Sequence, residues 1–285
     1  MLASNKISAI GALVRPGNFT LRGESKTPIF EGTVAMTSKV DGRDHTAYLP
    51  VYAVGNAAKR LSENTTAGTA VHLDGVVRQK KWTDKGVKHS RTRVQILRSE
   101  VVVTGSIHTD KGGGFCLLDG QNNATIGGNM VATPVLRNTK ADGTGDAVTT
   151  FSVALNSNYK DASGERIEQV DYVDVIAWRE LAVKVASLPK GAALMIEGAA
   201  VSEAWKDDKG QNRSALKFQA VTLNVVIPPV LTTPVKAAPV EAAPVAASPV
   251  AGVQAAAEPV FEAPAEEFIP DDAYPSIGEE GDLPF

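Results

Sequence analysis

Arg78, Lys80 and Trp82 stand at alternate positions of one stretch, with Lys81 between the last two, and Arg91 and Arg93 follow a turn at Gly86. Alternate residues of an extended strand share a face, so such a hairpin would present cations and an indole together. Cations in that spacing neutralise a phosphate backbone, with an affinity that falls as salt rises. Flat rings add a face on which any base can stack, worth about 1–3 kcal/mol per base. Arg78, Lys80, Lys81, Arg91 and Arg93 are therefore the candidate phosphate contacts. Tyr48, Trp82, Tyr159, Tyr172 and Trp205 have polar neighbours or occupy polar hairpins, and Tyr52 shares the strand face of Tyr48; these six are the candidate stacking rings. Phe30, Phe151 and Phe218 sit in apolar alternation and are expected in a core, while Trp178 fits either setting.

Catalytic and metal chemistry find no comparable pattern. Lys111-Gly-Gly-Gly-Phe115 lacks the Gly-Lys-Ser/Thr ending of a phosphate loop and reads as part of a connector. Cys116 is the only cysteine, with no histidine fixed beside it, and the four histidines (His45, His72, His89, His108) are scattered without zinc spacing. No metal, cofactor or enzymatic activity is expected.

The elements that would carry the cations and rings occur twice. Val71-His-Leu-Asp-Gly75, followed by Trp82 and Gly86, matches Leu194-Met-Ile-Glu-Gly198, followed by Trp205 and Gly210. Ala47-Tyr48 answers Asp171-Tyr172, Ala67-Gly68 answers Lys190-Gly191, and Ile10-Gly11 answers Ile126-Gly127. A repeat of this length means two copies of one domain. Within each copy a period of two predicts strands: Leu49, Val51 and Ala53 against Tyr48, Pro50, Tyr52 and Val54, and Val173, Val175 and Ala177 against Tyr172, Asp174, Ile176 and Trp178. Helical spacing of Leu181, Val185 and Leu188 predicts a short helix over Trp178–Leu188, and Asn56–Ser62 is its weaker counterpart. Several strands with one helix between the third and fourth describe a small closed barrel of the OB type. The fold class expected is all-β with one short helix per domain, as two tandem OB barrels over 1–103 and 123–227, joined by a connector over 104–122.

Charge divides the chain again. The 285 residues sum to −3, yet residues 1–103 carry 16 basic and 8 acidic side chains, whereas residues 104–227 carry 12 and 14. Aromatics run the other way, five in the first span and seven in the second, which suggests phosphate contacts by the first barrel and stacking by the second. From Pro228 onward lie ten acidic residues, Lys236 as the one base, and 11 of the 16 prolines. Pro234, Pro239, Pro244 and Pro249 recur every five residues among Ala and Val, so 228–277 is expected to be a disordered, extended linker. The last stretch, 278–285, ends in Asp282, Leu283, Pro284 and Phe285, acidic groups before an apolar end that suit a docking peptide for a partner's basic and apolar pocket. No apolar run approaches the roughly 18–20 residues that span a bilayer, and Met1–Gly11 lacks the pattern of a secretory signal. One unpaired cysteine suits a reducing compartment, so a cytoplasmic protein without membrane contact is expected.

The residues alone leave three readings: single-stranded DNA binding, RNA binding by the same grooves, and an interaction scaffold. Ala154-Leu-Asn-Ser-Asn-Tyr159, Asp171-Tyr-Val-Asp-Val-Ile-Ala-Trp178, Leu188-Pro-Lys-Gly191, Ile196-Glu-Gly198 and the terminal Asp282-Leu-Pro-Phe285 add a resemblance. The chain resembles bacterial single-stranded DNA-binding proteins in the two-barrel form of the Deinococcus–Thermus group. The resemblance implies stacking positions at Tyr159, Tyr172, Trp178 and Trp205, whose first-copy counterparts are Val40, Tyr48, Val54 and Trp82. It also implies a homodimer with four OB folds, and a C-terminal peptide that recruits replication, recombination and repair proteins.

Overall fold

Alternation builds the walls. Leu49, Val51 and Ala53 are buried, as are Val173, Val175 and Ala177, while Tyr48, Pro50 and Tyr52 are partly exposed and Val54, Tyr172 and Asp174 are exposed. Ile176 departs from that pattern and is buried. The computed structural model describes residues 4–226, except 85, 104–105, 111, 141–142, 161–165, 207–209 and 211. The linker and docking peptide predicted over 228–285, with Asp282, Leu283, Pro284 and Phe285, lie outside the described residues.

In chain order the first half contains β1 (Ser4–Leu13), β2 (Asn18–Arg22), β3 (Thr27–Val40), β4 (Arg43–Val54), α1 (Asn56–Asn64), β5 (Ala70–Asp84) and β6 (Val87–Val101). A short hairpin follows, β7 (Ile107–Thr109) and β8 (Phe115–Leu117). The second half contains β9 (Gln121–Met130), β10 (Arg137–Asn138), β11 (Ala147–Lys160), β12 (Arg166–Trp178), α2 (Arg179–Ala186), β13 (Ala193–Lys206) and β14 (Asn212–Val225). Strands β1, β3, β4, β6 and β5 close on one another in that order, with β4 and β6 parallel. Strands β9, β11, β12, β14 and β13 repeat the circuit, with β12 and β14 parallel. Each circuit, with its helix between the third and fourth strands, is an OB barrel. Phe30, Phe151 and Phe218 are buried in the core, as their alternation predicts. No helix among the described residues is long and apolar enough to cross a membrane.

The glycines of the repeat mark the sharpest bends. β5 shifts register against β6 at Asp74/Gly75, where Leu97 of β6 is the extra, bulged residue, and β13 shifts against β14 at Glu197/Gly198, where Val221 of β14 is. A Cβ at Gly75 would lie 2.3 Å from the Gln95 carbonyl oxygen, and one at Gly198 would lie 1.9 Å from that of Gln219. Only glycine lets the two backbones approach this closely. Past the bulge each strand outruns its neighbour, and an asparagine takes over the ladder. Asn5 donates to the Val77 carbonyl and accepts from its N–H at 2.9 and 2.7 Å, and Asn122 does the same for Ala200 at 2.8 and 3.0 Å.

β1 and β9 pair antiparallel from Ser4↔Gly127 to Ile10↔Gln121, which joins the barrels into one 14-stranded sheet. Matching contacts correct the repeat alignment near its start. Gly68 N–H donates to the Leu13 carbonyl as Gly191 N–H does to that of Met130, and added Cβ atoms at Gly11 and Gly128 would meet the Ala35 and Ala154 carbonyls. Gly11 therefore corresponds to Gly128, not Gly127, and Asn5 to Asn122. The adjacent Gly127-Gly128 offers two registers to a sequence comparison, and only the packing selects one. With that register Ile7 pairs with its own counterpart, Ala124, so a local two-fold axis relates the halves there.

The described residues of the glycine-rich connector pack against the first barrel. Phe115 N–H donates to the Val14 carbonyl, Gly120 N–H to that of Thr37, and Leu117 pairs with Met36 of β3. The Asp110 carboxylate accepts from Gly114 N–H at 2.7 Å and closes the turn.

Candidate nucleic-acid interface

The register of β5 and β6 sets Arg78 opposite Arg93, Lys80 opposite Arg91 and Trp82 opposite His89. Alternate pairs share a face, so the hairpin carries two consecutive like-charge pairs leading to two rings. Like charges placed directly across a ladder are destabilising by a few tenths to about 1 kcal/mol unless something neutralises them. Trp82 and His89 stack with centroids 5.3 Å apart at 16°, and the Lys80 ammonium lies 5.8 Å from the indole centroid. His89 was not among the candidates from sequence. Counting outward from the Gly86 turn would have placed it opposite Trp82.

Protein carboxylates already neutralise the base of this ladder. Arg78 Nη1 donates to Asp171 Oδ2 at 3.0 Å and to the Ser157 hydroxyl at 2.7 Å. Asp171 belongs to the second barrel and is 1% exposed; its other oxygen accepts from Gln79 N–H and Gln169 Nε2 at 2.9 and 3.0 Å. Arg93 pairs with Glu31 at 2.9 Å, Arg22 approaches the same carboxylate at 3.3 Å, and the Arg93 guanidinium lies 4.2 Å over the Tyr52 ring. Arg78, Arg93 and Tyr52 are thus drawn into contacts between and within the barrels. Burial raises the Tyr52 phenol above its ordinary value of 10.0, and nearby Arg93 and Arg78 oppose the rise.

The two aromatic faces are finished differently. On the first barrel, Tyr48 is half-buried: burial and then the Asp110 carboxylate of the connector, which also accepts its hydrogen bond, raise its phenol above 10.0. Its backbone is tied across to the second barrel, where the Ser202 hydroxyl accepts from Tyr48 N–H and donates to the Tyr48 carbonyl, both at 2.9 Å. On the second barrel, Tyr172 is 39% exposed and Trp205 is 48% exposed on its hairpin. Tyr159 lies in β11 opposite Ile167 of β12. Trp178 lines a cleft with Asp41, Arg43 and His45 of the first barrel. Arg179 beside it takes a positive φ, +52, as Gly55 does at the matching position, φ +66. That conformation disfavours a side chain by about 1–2 kcal/mol. The Arg179 guanidinium offsets it through Asp41 at 2.9 Å, on the turn between β3 and β4, and Asp146 at 3.5 Å.

The model of the single-strand binding protein family matches residues 4–102 and again 121–226, one match per barrel. The chain belongs to the single-strand binding protein family. A single-stranded DNA-binding protein of Deinococcus radiodurans is 34% identical over 230 residues, 78% of this chain and 75% of that protein. Its counterpart in Thermus aquaticus is 26% identical over 178 residues, 62% of this chain and 65% of that protein. The crystal structure of the wild-type Thermus aquaticus protein superposes with a TM-score of 0.61 at 21% identity, covering 80% of this chain and 95% of that one. Among members of the single-strand binding protein family, this chain thus resembles those that hold two barrels in one polypeptide.

Proposed function

We propose that the protein is a non-enzymatic binder of single-stranded DNA with little sequence preference. The observation that carries this reading is the cationic ladder of Lys80 and Arg91 running into the Trp82–His89 stack. A phosphate backbone is attracted to these cations, and each ring accepts any base. Family membership supports the reading, as do the exposed Tyr172 and Trp205 on the second barrel. In it, Tyr48, Trp82, Tyr159, Tyr172, Trp178 and Trp205 stack bases, and Lys80, Lys81 and Arg91 contact phosphates. Arg78, Arg93 and Tyr52 serve by holding the face in shape. The chain divides into barrels at 1–103 and 123–227, the connector between them, a linker at 228–277 and a docking peptide at 278–285.

Two copies of the chain would form a homodimer of four barrels. Leu97 and Val221, exposed apolar side chains at the two matching bulges, are surfaces that a second copy would cover. The terminal Asp282, Leu283, Pro284 and Phe285 would recruit replication, recombination and repair proteins while the barrels hold DNA. Such a protein acts in the cytoplasm on the nucleoid.

Titrating oligo(dT) under tryptophan fluorescence tests the stacking. Quenching is expected, and Trp82→Ala or Trp205→Ala should weaken binding by about 5- to 150-fold each. Unchanged fluorescence and affinity would sink the reading. Competition with a matched RNA strand separates DNA from RNA binding, and light-scattering mass with and without oligo(dT) gives assembly and stoichiometry. Deleting Glu279–Phe285 should leave DNA affinity intact and abolish capture of a partner enzyme.

A further inference from the structure

Two barrels meet over one ring. Lys81, on β5 of the first, holds its ammonium 5.1 Å from the ring centroid of Tyr172, on β12 of the second. The approach is fixed from beneath: Asp171, next to Tyr172, binds the backbone N–H of Gln79, two residues before Lys81, and the guanidinium of Arg78. Both Lys81 and Tyr172 are exposed. The opposite side of the local two-fold has no such arrangement, since Lys81 corresponds to Ala204 and the facing tyrosine, Tyr48, is half-buried under the connector.

We infer that Lys81 and Tyr172 form one nucleotide subsite shared between the barrels, which rests on the single-strand reading above. The ring takes the base. Lys81 covers that ring in this structure, so a base stacking on the same face displaces the ammonium towards the adjoining phosphate. One cation–π contact is exchanged for a base stack and a charge-assisted phosphate contact. The strand then crosses from the second barrel to the first at this point. The positive charge of the first barrel therefore serves a ring of the second, and the two halves do not divide the labour separately.

The test is a double-mutant cycle in the full-length protein, with oligo(dT) affinity measured across a range of NaCl concentrations. Lys81→Gln and Tyr172→Leu should each weaken binding by about 10-fold. The double variant should weaken it by about 10- to 20-fold, well short of the product of the two, because the partners share one nucleotide. Lys81→Gln should also lower the salt slope by about 0.7, and Lys81→Arg should restore it. Lys81→Gln with Trp205→Leu, from different subsites, should multiply. If the Lys81/Tyr172 double variant equals the product of its singles, the shared subsite is wrong while single-strand binding stands. If neither single variant affects affinity, both the subsite and the stacking role of Tyr172 fall.

Discussion

Arg78 and Asp171, 93 positions apart in sequence, meet at 3.0 Å across the junction of the two barrels, with the carboxylate 1% exposed. Breaking a buried ion pair from one side strands the other charge, at about 3–5 kcal/mol. Arg78→Ala should lower stability to urea by that amount. The double change Arg78→Val with Asp171→Ala installs the residue types found at the matching positions, Val201 and Ala47, both buried. It should recover most of the loss, since an apolar replacement of a buried pair is often neutral.

Salt dependence should separate the cations by role. Neutralising Lys80 or Arg91 with glutamine is expected to reduce the slope of log affinity against log salt by about 0.7 for each phosphate that is no longer neutralised. Arg78→Gln and Arg93→Gln, whose guanidinium groups are bound to Asp171 and Glu31, should lower the melting temperature and leave the slope nearly unchanged. Equal slopes for all four variants would refute this sorting.

Gly75→Ala and Gly198→Ala each force a methyl group against a carbonyl oxygen, at 2.3 and 1.9 Å. Overpacking of this kind typically destabilises by about 1–3 kcal/mol. Chemical denaturation should show both losses, with Gly198→Ala the larger.

Alkaline pH should destabilise the first barrel. The Tyr48 and Tyr52 phenols and the Cys116 thiol all ionise above their ordinary values of 10.0, 10.0 and 9.0, burial being the first cause in each case. The unfolded chain therefore releases these protons at lower pH than the folded one. Their contribution is complete below about pH 9, fades as pH rises past the ordinary values, and is gone above the raised ones. Melting temperature should fall over that window, and less steeply in Tyr52→Phe, which has no phenol to ionise.

The barrels were legible because a strand with one wet face records itself in alternation, as in Leu49–Val54 and Val173–Ala177, and because Gly75 and Gly198 answer a steric demand that no other residue meets. The roles of single cations were less so. Parity put Arg78 on the same face as Lys80 but gave no sign that Asp171 of the other barrel would lie against it. Alternation describes what a strand presents, and says nothing of what a distant element brings to that face. The glycines of the connector mark it as a connector and do not reveal its course, in which Asp110 closes a turn and Leu117 docks on β3. Tyr48 consequently has a second neighbour that its flanking residues do not reveal.

The pairing of β1 with β9 places Ile7 opposite its own counterpart, Ala124, within a single polypeptide. When identical subunits meet about a two-fold axis, every residue change is made on both sides at once. An arginine introduced at the site of Arg78 would then appear twice, and each copy would need its own aspartate. Covalent linkage of the halves removes that constraint. One side of the axis holds an ion pair and the other two aliphatic side chains; one aromatic face carries a lysine and the other a connector. A molecule built this way has a front and a back, so a strand threaded across it meets a fixed polarity that a symmetric assembly of single barrels does not offer.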